Sequence, residues 1–111
     1  MYGYGYSPFV KSIPSESGIA PVNTVTPAIK GTAQENKTLT CSTGTWIGTP
    51  TITYAFQWKR NNVNIIGATN STYTLVSADV AQSIKCTVTA KNGAGNTSAD
   101  SRPVRPIPAV K

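Results

Sequence analysis

Three residues constrain this chain more than any others: Cys41, Trp58 and Cys86. Each lies in a short segment where apolar and polar residues alternate, and each falls on the apolar phase. In residues 37–43, Leu39 and Cys41 share a face. In residues 52–60, Tyr54, Phe56 and Trp58 share one face, with Ala55, Gln57 and Lys59 on the other. In residues 83–91, Ile84, Cys86, Val88 and Ala90 oppose Lys85, Thr87, Thr89 and Lys91. Successive side chains of a strand point to opposite faces, so alternation predicts three strands, each with one face buried.

Shorter signals fill the intervals. Residues 22–29 contain Pro27, which cannot donate to a ladder and so suits an edge strand. Asn61-Asn62 predicts a turn, followed by a short strand at 63–65 and a further turn at Gly67. Residues 71–76 place Tyr73 and Leu75 inward. Residues 77–81 read as a helical turn opened by a Ser77 cap, with Asp79 capping or bracing the turn. Asn92-Gly93-Ala94-Gly95 predicts a hairpin into a last strand at 96–102. No stretch reads as a long amphipathic helix. With 111 residues, the expectation is one all-β domain with a modest core, plus tails.

Both ends differ from this body. Residues 1–20 alternate Tyr with Gly and then carry prolines and serines, a poor helix and a poor central strand. Yet Tyr2, Tyr4, Tyr6 and Phe9 are four of the nine aromatic residues. A plain linker is not so aromatic, and tyrosine supplies rigid, amphipathic contact area. Residues 1–20 are therefore read as an anchoring arm, the plainer alternative being a disordered tail. Residues 21–104 are the sandwich. Residues 105–111, spaced by prolines, are expected to be an extended tail.

The chain carries ten Lys and Arg against four acids, net +6. A positive field favours acidic partners, but no basic block occurs. Lys59, Lys85 and Lys91 point outward from neighbouring strands, with Gln57, Thr87 and Thr89. This is either an ordinary solvated face or a docking face for an acidic surface or a glycan. Nucleic-acid binding calls for arginines interleaved with aromatics, which this face lacks. Trp46 is read as a core or loop anchor rather than a sugar platform.

Catalytic equipment is sparse. The chain has no histidine, hence no imidazole base or metal ligand. Its acids are Glu16, Glu35, Asp79 and Asp100, on well-separated segments. Two cysteines without histidine fall short of a closed zinc site. No glycine-rich loop leads into a helix. The expectation is a non-enzyme without cofactor or metal. The Asn-x-Ser/Thr triplets at Asn36, Asn70 and Asn96 read as by-products of a surface rich in Asn and Thr. Met1-Tyr-Gly opens no secretory signal, and no apolar run approaches a membrane span. A cytoplasmic origin is expected.

The order Cys…Trp…Cys on these strands is that of immunoglobulin domains, where two facing cysteines bridge the sheets and the Trp packs against them. The chain resembles the immunoglobulin-like modules of tailed-phage virion proteins and of some bacterial surface proteins. The resemblance rests on Gly31-Thr-Ala, LTCSTGTW (39–46), TYAFQWKR (53–60), IGAT (66–69), YTL (73–75), ADV (78–80) and CTVTAKN (86–92), and spans about 21–99. It implies a two-sheet Greek-key sandwich with Cys41 and Cys86 buried and adjacent, whether oxidised or reduced. Antibody-type domains have a Tyr two residues before the second Cys, where this chain has Ile84, so a vertebrate antigen-receptor origin is not implied. The resemblance further implies a virion structural protein. It would be a capsid decoration or head-surface accessory, held by its arm to the major capsid protein or other virion subunits, and able to form homo-oligomers on the particle. The alternative is an adhesion module that binds host-surface glycans, on a phage tail or a bacterial surface.

Overall fold

The computed structural model describes residues 18–110. These residues form β1 (Val22–Val25), β2 (Ile29–Lys30), β3 (Thr38–Cys41), β4 (Thr45–Ile47), β5 (Thr53–Arg60), β6 (Val63–Asn64), β7 (Thr72–Thr74), a 3-10 turn (Ser77–Asp79), β8 (Ile84–Asn92) and β9 (Gly95–Asp100). Every strand pairing is antiparallel. The strands are ordered β1-β4, β2-β3-β7 and β6-β5-β8-β9. A disulfide between Cys41 on β3 and Cys86 on β8, with Cα atoms 6.4 Å apart, ties the three-stranded sheet to the four-stranded one. The architecture is all-β and consistent with a sandwich. Among the described residues, no helix is long and apolar enough to cross a membrane.

The core lies where the alternation is cleanest. Leu39, Trp58, Leu75, Ile84, Cys86, Val88 and Ala90 are fully buried. Each of the larger of these contributes roughly 1.5–3 kcal/mol by leaving water. Trp58 and Cys86 face each other across the β5–β8 ladder. Tyr73 stacks on Trp58 at 5.6 Å, and the indole Nε1 donates to the Asn70 carbonyl at 2.8 Å, so burying the ring leaves no polar atom unpaired. At the far end of β5 the alternation overstates burial. Tyr54, on the inward phase, remains 40% exposed, its ring tilted against Trp46 with centroids 6.4 Å apart.

The edge strand expected over 22–29 is two strands. β1 pairs with β4, and β2 pairs with β3. Pro27 interrupts the ladder because it has no N–H. Across the break, Gly44 takes φ +76, and a Cβ there would collide with the Val25 carbonyl. Close backbone approach thus demands glycine at this point. β4 itself went unanticipated, because Ser42-Thr43-Gly44 reads as the end of a strand rather than its middle. The Asn61-Asn62 turn has φ of 52° and 69°, the left-handed pair that a two-residue hairpin requires.

The cap before β8 also differs from expectation. The 3-10 turn gains nothing from the Ser77 side chain; instead Asp79 reaches back and accepts from the Val76 N–H at 2.9 Å. The proline-spaced segment is stitched to the body. Val104 exchanges two hydrogen bonds with Ile84, Ala81 donates to the Pro106 carbonyl, and Ile107 bonds Ala33 and Glu35. Pro103, Pro106 and Pro108 lack N–H groups, and the donors left at Val104 and Ile107 are the ones these pairings use.

Candidate interaction surfaces

The β5–β8–β9 face carries the predicted lysines but does not unite them. Lys59 and Lys85 are direct cross-strand partners, a like-charge pairing that is unfavourable alone. Asp100 on β9 relieves it. Its Oδ2 lies 2.9 Å from the Lys85 Nζ, and its Oδ1 accepts from the Thr87 hydroxyl at 2.6 Å. The Asp100 carboxyl sits below its ordinary value, first through Thr87, with Lys85 and Lys59 adding to the effect. Lys91 stands apart, opposite Thr53, about 20 Å along β8 from Lys85 at ~3.4 Å per residue. Between them the surface holds small polar groups, including Thr89 and Ser98, whose hydroxyls share a 2.8 Å hydrogen bond. Gln57 is turned to the strand edge, where its amide donates to the carbonyls of Ile65 and Ala68 at 2.9 and 3.3 Å.

Among the described residues, the acids serve structure. Asp79 is fully buried and accepts from Arg60 Nε at 2.7 Å, the Tyr73 hydroxyl at 2.7 Å and the Val76 N–H. The hydrogen bond to Asp79 raises the Arg60 guanidinium above its ordinary value. Burial, then the bond to Asp79, pushes the Tyr73 phenol up to about 12. A buried charge satisfied by three donors is a brace between β5, β7 and the turn before β8. Glu35 Oε1 accepts from the Ala109 N–H at 3.4 Å. Among the described residues, no group of three or more His, Cys, Asp or Glu side chains is placed to hold a metal ion.

The opposite end of β8 is built from amides and hydroxyls. Asn92 is buried; its amide donates to the carbonyls of Ile19 (2.7 Å) and Thr49 (3.0 Å). Its Oδ1 accepts from the Ala94 and Gly95 N–H groups of the hairpin. Thr49 Oγ1 accepts from the Ile19 N–H, and the Thr97 hydroxyl donates to the Pro21 carbonyl. The root of the N-terminal segment is therefore clamped from both sides. Trp46, next to this end, is 9% exposed and donates from Nε1 to the Thr43 carbonyl, so its ring offers no open platform for a sugar. The predicted arm anchors Tyr2, Tyr4, Tyr6 and Phe9 lie outside the described residues.

One feature of this surface could be found only in three dimensions. The break at Pro27 opens a groove of about 360 Å³ between Val25, Pro27 and Ile29 on one side and Arg102 and Val104 on the other. No protein-family model, curated protein or solved structure matches the chain.

Proposed function

We propose that the chain is an immunoglobulin-like Greek-key module serving as a non-enzymatic structural accessory of a phage virion, such as a capsid decoration, held to the particle by its N-terminal arm. The fold part is supported by a β2-β3-β7 sheet disulfide-bonded to a β6-β5-β8-β9 sheet, with Trp58 beside the bond. The observation that carries the role is where the two flanking segments join the sandwich. The arm's root is clamped beside Asn92, and the C-terminal segment is stitched beside Ile84. These are opposite ends of β8, about 27 Å apart at ~3.4 Å per residue. A module held at one end and projecting from the other suits an accessory on a particle surface. Its partners would be the major capsid protein or neighbouring virion subunits.

The exposed Thr53, Ser98 and Asn96 on the β5–β8–β9 face support a second reading, adhesion to host-surface glycans through hydroxyl and amide contacts.

Deleting residues 1–17 leaves the clamp at 19–21 in place and tests the first reading. The full chain should co-sediment with particles lacking it, and the deletion variant should lose at least tenfold in binding. Equal binding by the deletion variant would sink the arm-anchored role. Binding of the full chain to host envelope glycans but not to particles would favour adhesion.

A further inference from the structure

Of the asparagines in the chain, Asn92 alone is followed by glycine. The side-chain carbonyl carbon of an asparagine lies within reach of the next residue's backbone nitrogen, and a glycine there hinders the approach least. The β8–β9 hairpin does not itself require glycine at this position. Gly93 is not among the glycines with left-handed backbone, as Gly95 is, and a Cβ on Gly93 would meet nothing within 4 Å. Gly93 is also exposed, so base in the solvent reaches its N–H, which has no backbone partner among the described residues. The side chain beside it is held in the opposite way. Asn92 is buried, its Nδ2 donates to the carbonyls of Ile19 and Thr49, and its Oδ1 accepts from the Ala94 and Gly95 N–H groups. A reactive pair thus stands with its nucleophile free and its electrophile locked.

We infer that Asn92-Gly93 is a self-modification site that the clamp holds silent, and that its conversion opens the Asn92 end irreversibly. The Gly93 nitrogen gives its proton to solvent and bonds to Asn92 Cγ. The Cγ–Nδ2 bond breaks, Nδ2 takes up a proton and leaves as ammonia, and a five-membered succinimide closes. Water then adds to one of the two ring carbonyls, giving aspartate from one and isoaspartate from the other. Water is the only co-reactant and ammonia the only leaving group. Closing the ring takes the side chain out of the clamp, because Nδ2 must leave the Ile19 and Thr49 carbonyls and Cγ must turn toward Gly93. The hydrogen bonds lost on the way are what slow the folded chain. The product explains why the step is one-way. A carboxylate accepts and cannot donate. At position 92 it would face the carbonyl oxygens of Ile19 and Thr49 with no proton between them, a buried and unpaired arrangement. The bonds from Ala94 and Gly95 can survive in the aspartate form, whereas those to Ile19 and Thr49 cannot. Isoaspartate adds a backbone methylene as well and shifts the hairpin register. The site therefore converts a transient opening of this end into a permanent one, whatever the module is attached to.

The experiment incubates full-length protein in mildly alkaline buffer, folded or in denaturing urea, and follows aspartate and isoaspartate at position 92 by peptide mapping. The folded protein should convert at least tenfold more slowly than the unfolded one. Gly93→Ala, which fits the turn, should keep the parent's melting temperature and slow conversion in urea at least fivefold. Thr49→Val with Thr97→Val removes two bonds that hold residues 19–21 and leaves Asn92 intact. The folded double variant should convert at least threefold faster than the parent. If the pair unfolds the chain, Thr97→Val alone poses the same question. Asn92→Asp reproduces the product, and hydrogen exchange in it should quicken at Ile19 and Thr49 and stay slow at Val104. Equal conversion in folded and unfolded protein, or a loosened clamp that leaves the folded rate unchanged, would overturn the silencing. No conversion in urea would overturn the site itself. Slow exchange at Ile19 in Asn92→Asp would show that a carboxylate fits the clamp and would overturn the one-way opening.

Discussion

The two ends of β8 are held by different chemistry. At the Ile84 end, Asp79 gathers Arg60, Tyr73 and the Val76 amide, and the proline-spaced segment is stitched alongside. At the Asn92 end, a neutral amide and the hydroxyls of Thr49 and Thr97 clamp the start of the described chain at Ile19 and Pro21. Charge fixes one end and neutral hydrogen bonds fix the other. The difference makes one end sensitive to pH and salt and leaves the other indifferent to both.

The disulfide lies between the two ends and sets the scale for both. Cys41 and Cys86 are 45 residues apart in sequence, so the bond stabilises the fold by roughly 4 kcal/mol in the chain-entropy model. Reduction should lower the denaturant midpoint accordingly and loosen both ends together. A midpoint unaffected by reductant would mean that the sheets stay together without the bond.

Asp79→Ala should have the next largest effect, about 3 kcal/mol, because it strands a partly buried phenol, a backbone N–H and a partly exposed guanidinium. The loss should appear first as faster hydrogen exchange at Val76 and Ile84. Tyr73 gives the same end a signature in alkali. Its folded-state pKa is raised from 10.0 to about 12. Its contribution is therefore complete below pH 10 and is lost as pH rises through 12. Ultraviolet titration of the parent against Tyr73→Phe should place the Tyr73 ionisation near pH 12, and ionisation of Tyr73 at an ordinary pH would remove the brace from the comparison.

Asn92→Ala tests the neutral end. It removes two donated bonds and one oxygen that accepts two more, at a cost of about 2 kcal/mol. Exchange should quicken at Ile19 and Gly95 and stay unchanged at Val104 and Ile107. Loosening of Val104 would show that the two ends are not independent.

Much of the four-stranded sheet was legible in the sequence. β5 and β8 are long, alternating and anchored by Trp58 and Cys86, and burial follows the period except at Tyr54, which stays exposed, and Thr87, which is buried. The ends were not legible, for reasons that differ by residue. Asp79 could be guessed to brace a turn, but its partners Arg60 and Tyr73 come from strands far away in sequence. Pro27 signalled an edge, while the break it causes depends on Gly44 opposite. Prolines in residues 103–110 concealed a pairing segment, because the pattern of remaining donors matters only once Ile84 and Ala33 are nearby. Lys59, Lys85 and Lys91 shared an outward phase, yet Asp100 neutralises one of them from a strand whose register the sequence does not state. The outward turn of the β1–β4 ladder was hidden most completely. Val22 and Ile47 look like core residues until their ladder is seen to turn them outward.

The smallest expected effect belongs to Asp100, and it sharpens the contrast most directly. Its pKa is lowered from 3.8 in the folded state, so its stabilisation is present above about pH 4 and is lost as pH falls through the folded value. The carboxylate side chain is 44% exposed, so screening limits the contribution to less than about 1 kcal/mol. Asp100→Asn should lower the melting temperature at pH 7 by about 4 °C or less. The difference should shrink as pH falls through the folded value of the Asp100 carboxyl, and 1 M salt at pH 7 should shrink it as well. Asn92→Ala, measured beside it, should show the same loss at pH 7, at pH 2 and in salt. If the Asn92 effect also faded in acid, charge would reach both ends of β8, and the separation of a titrating end from a neutral one would be lost.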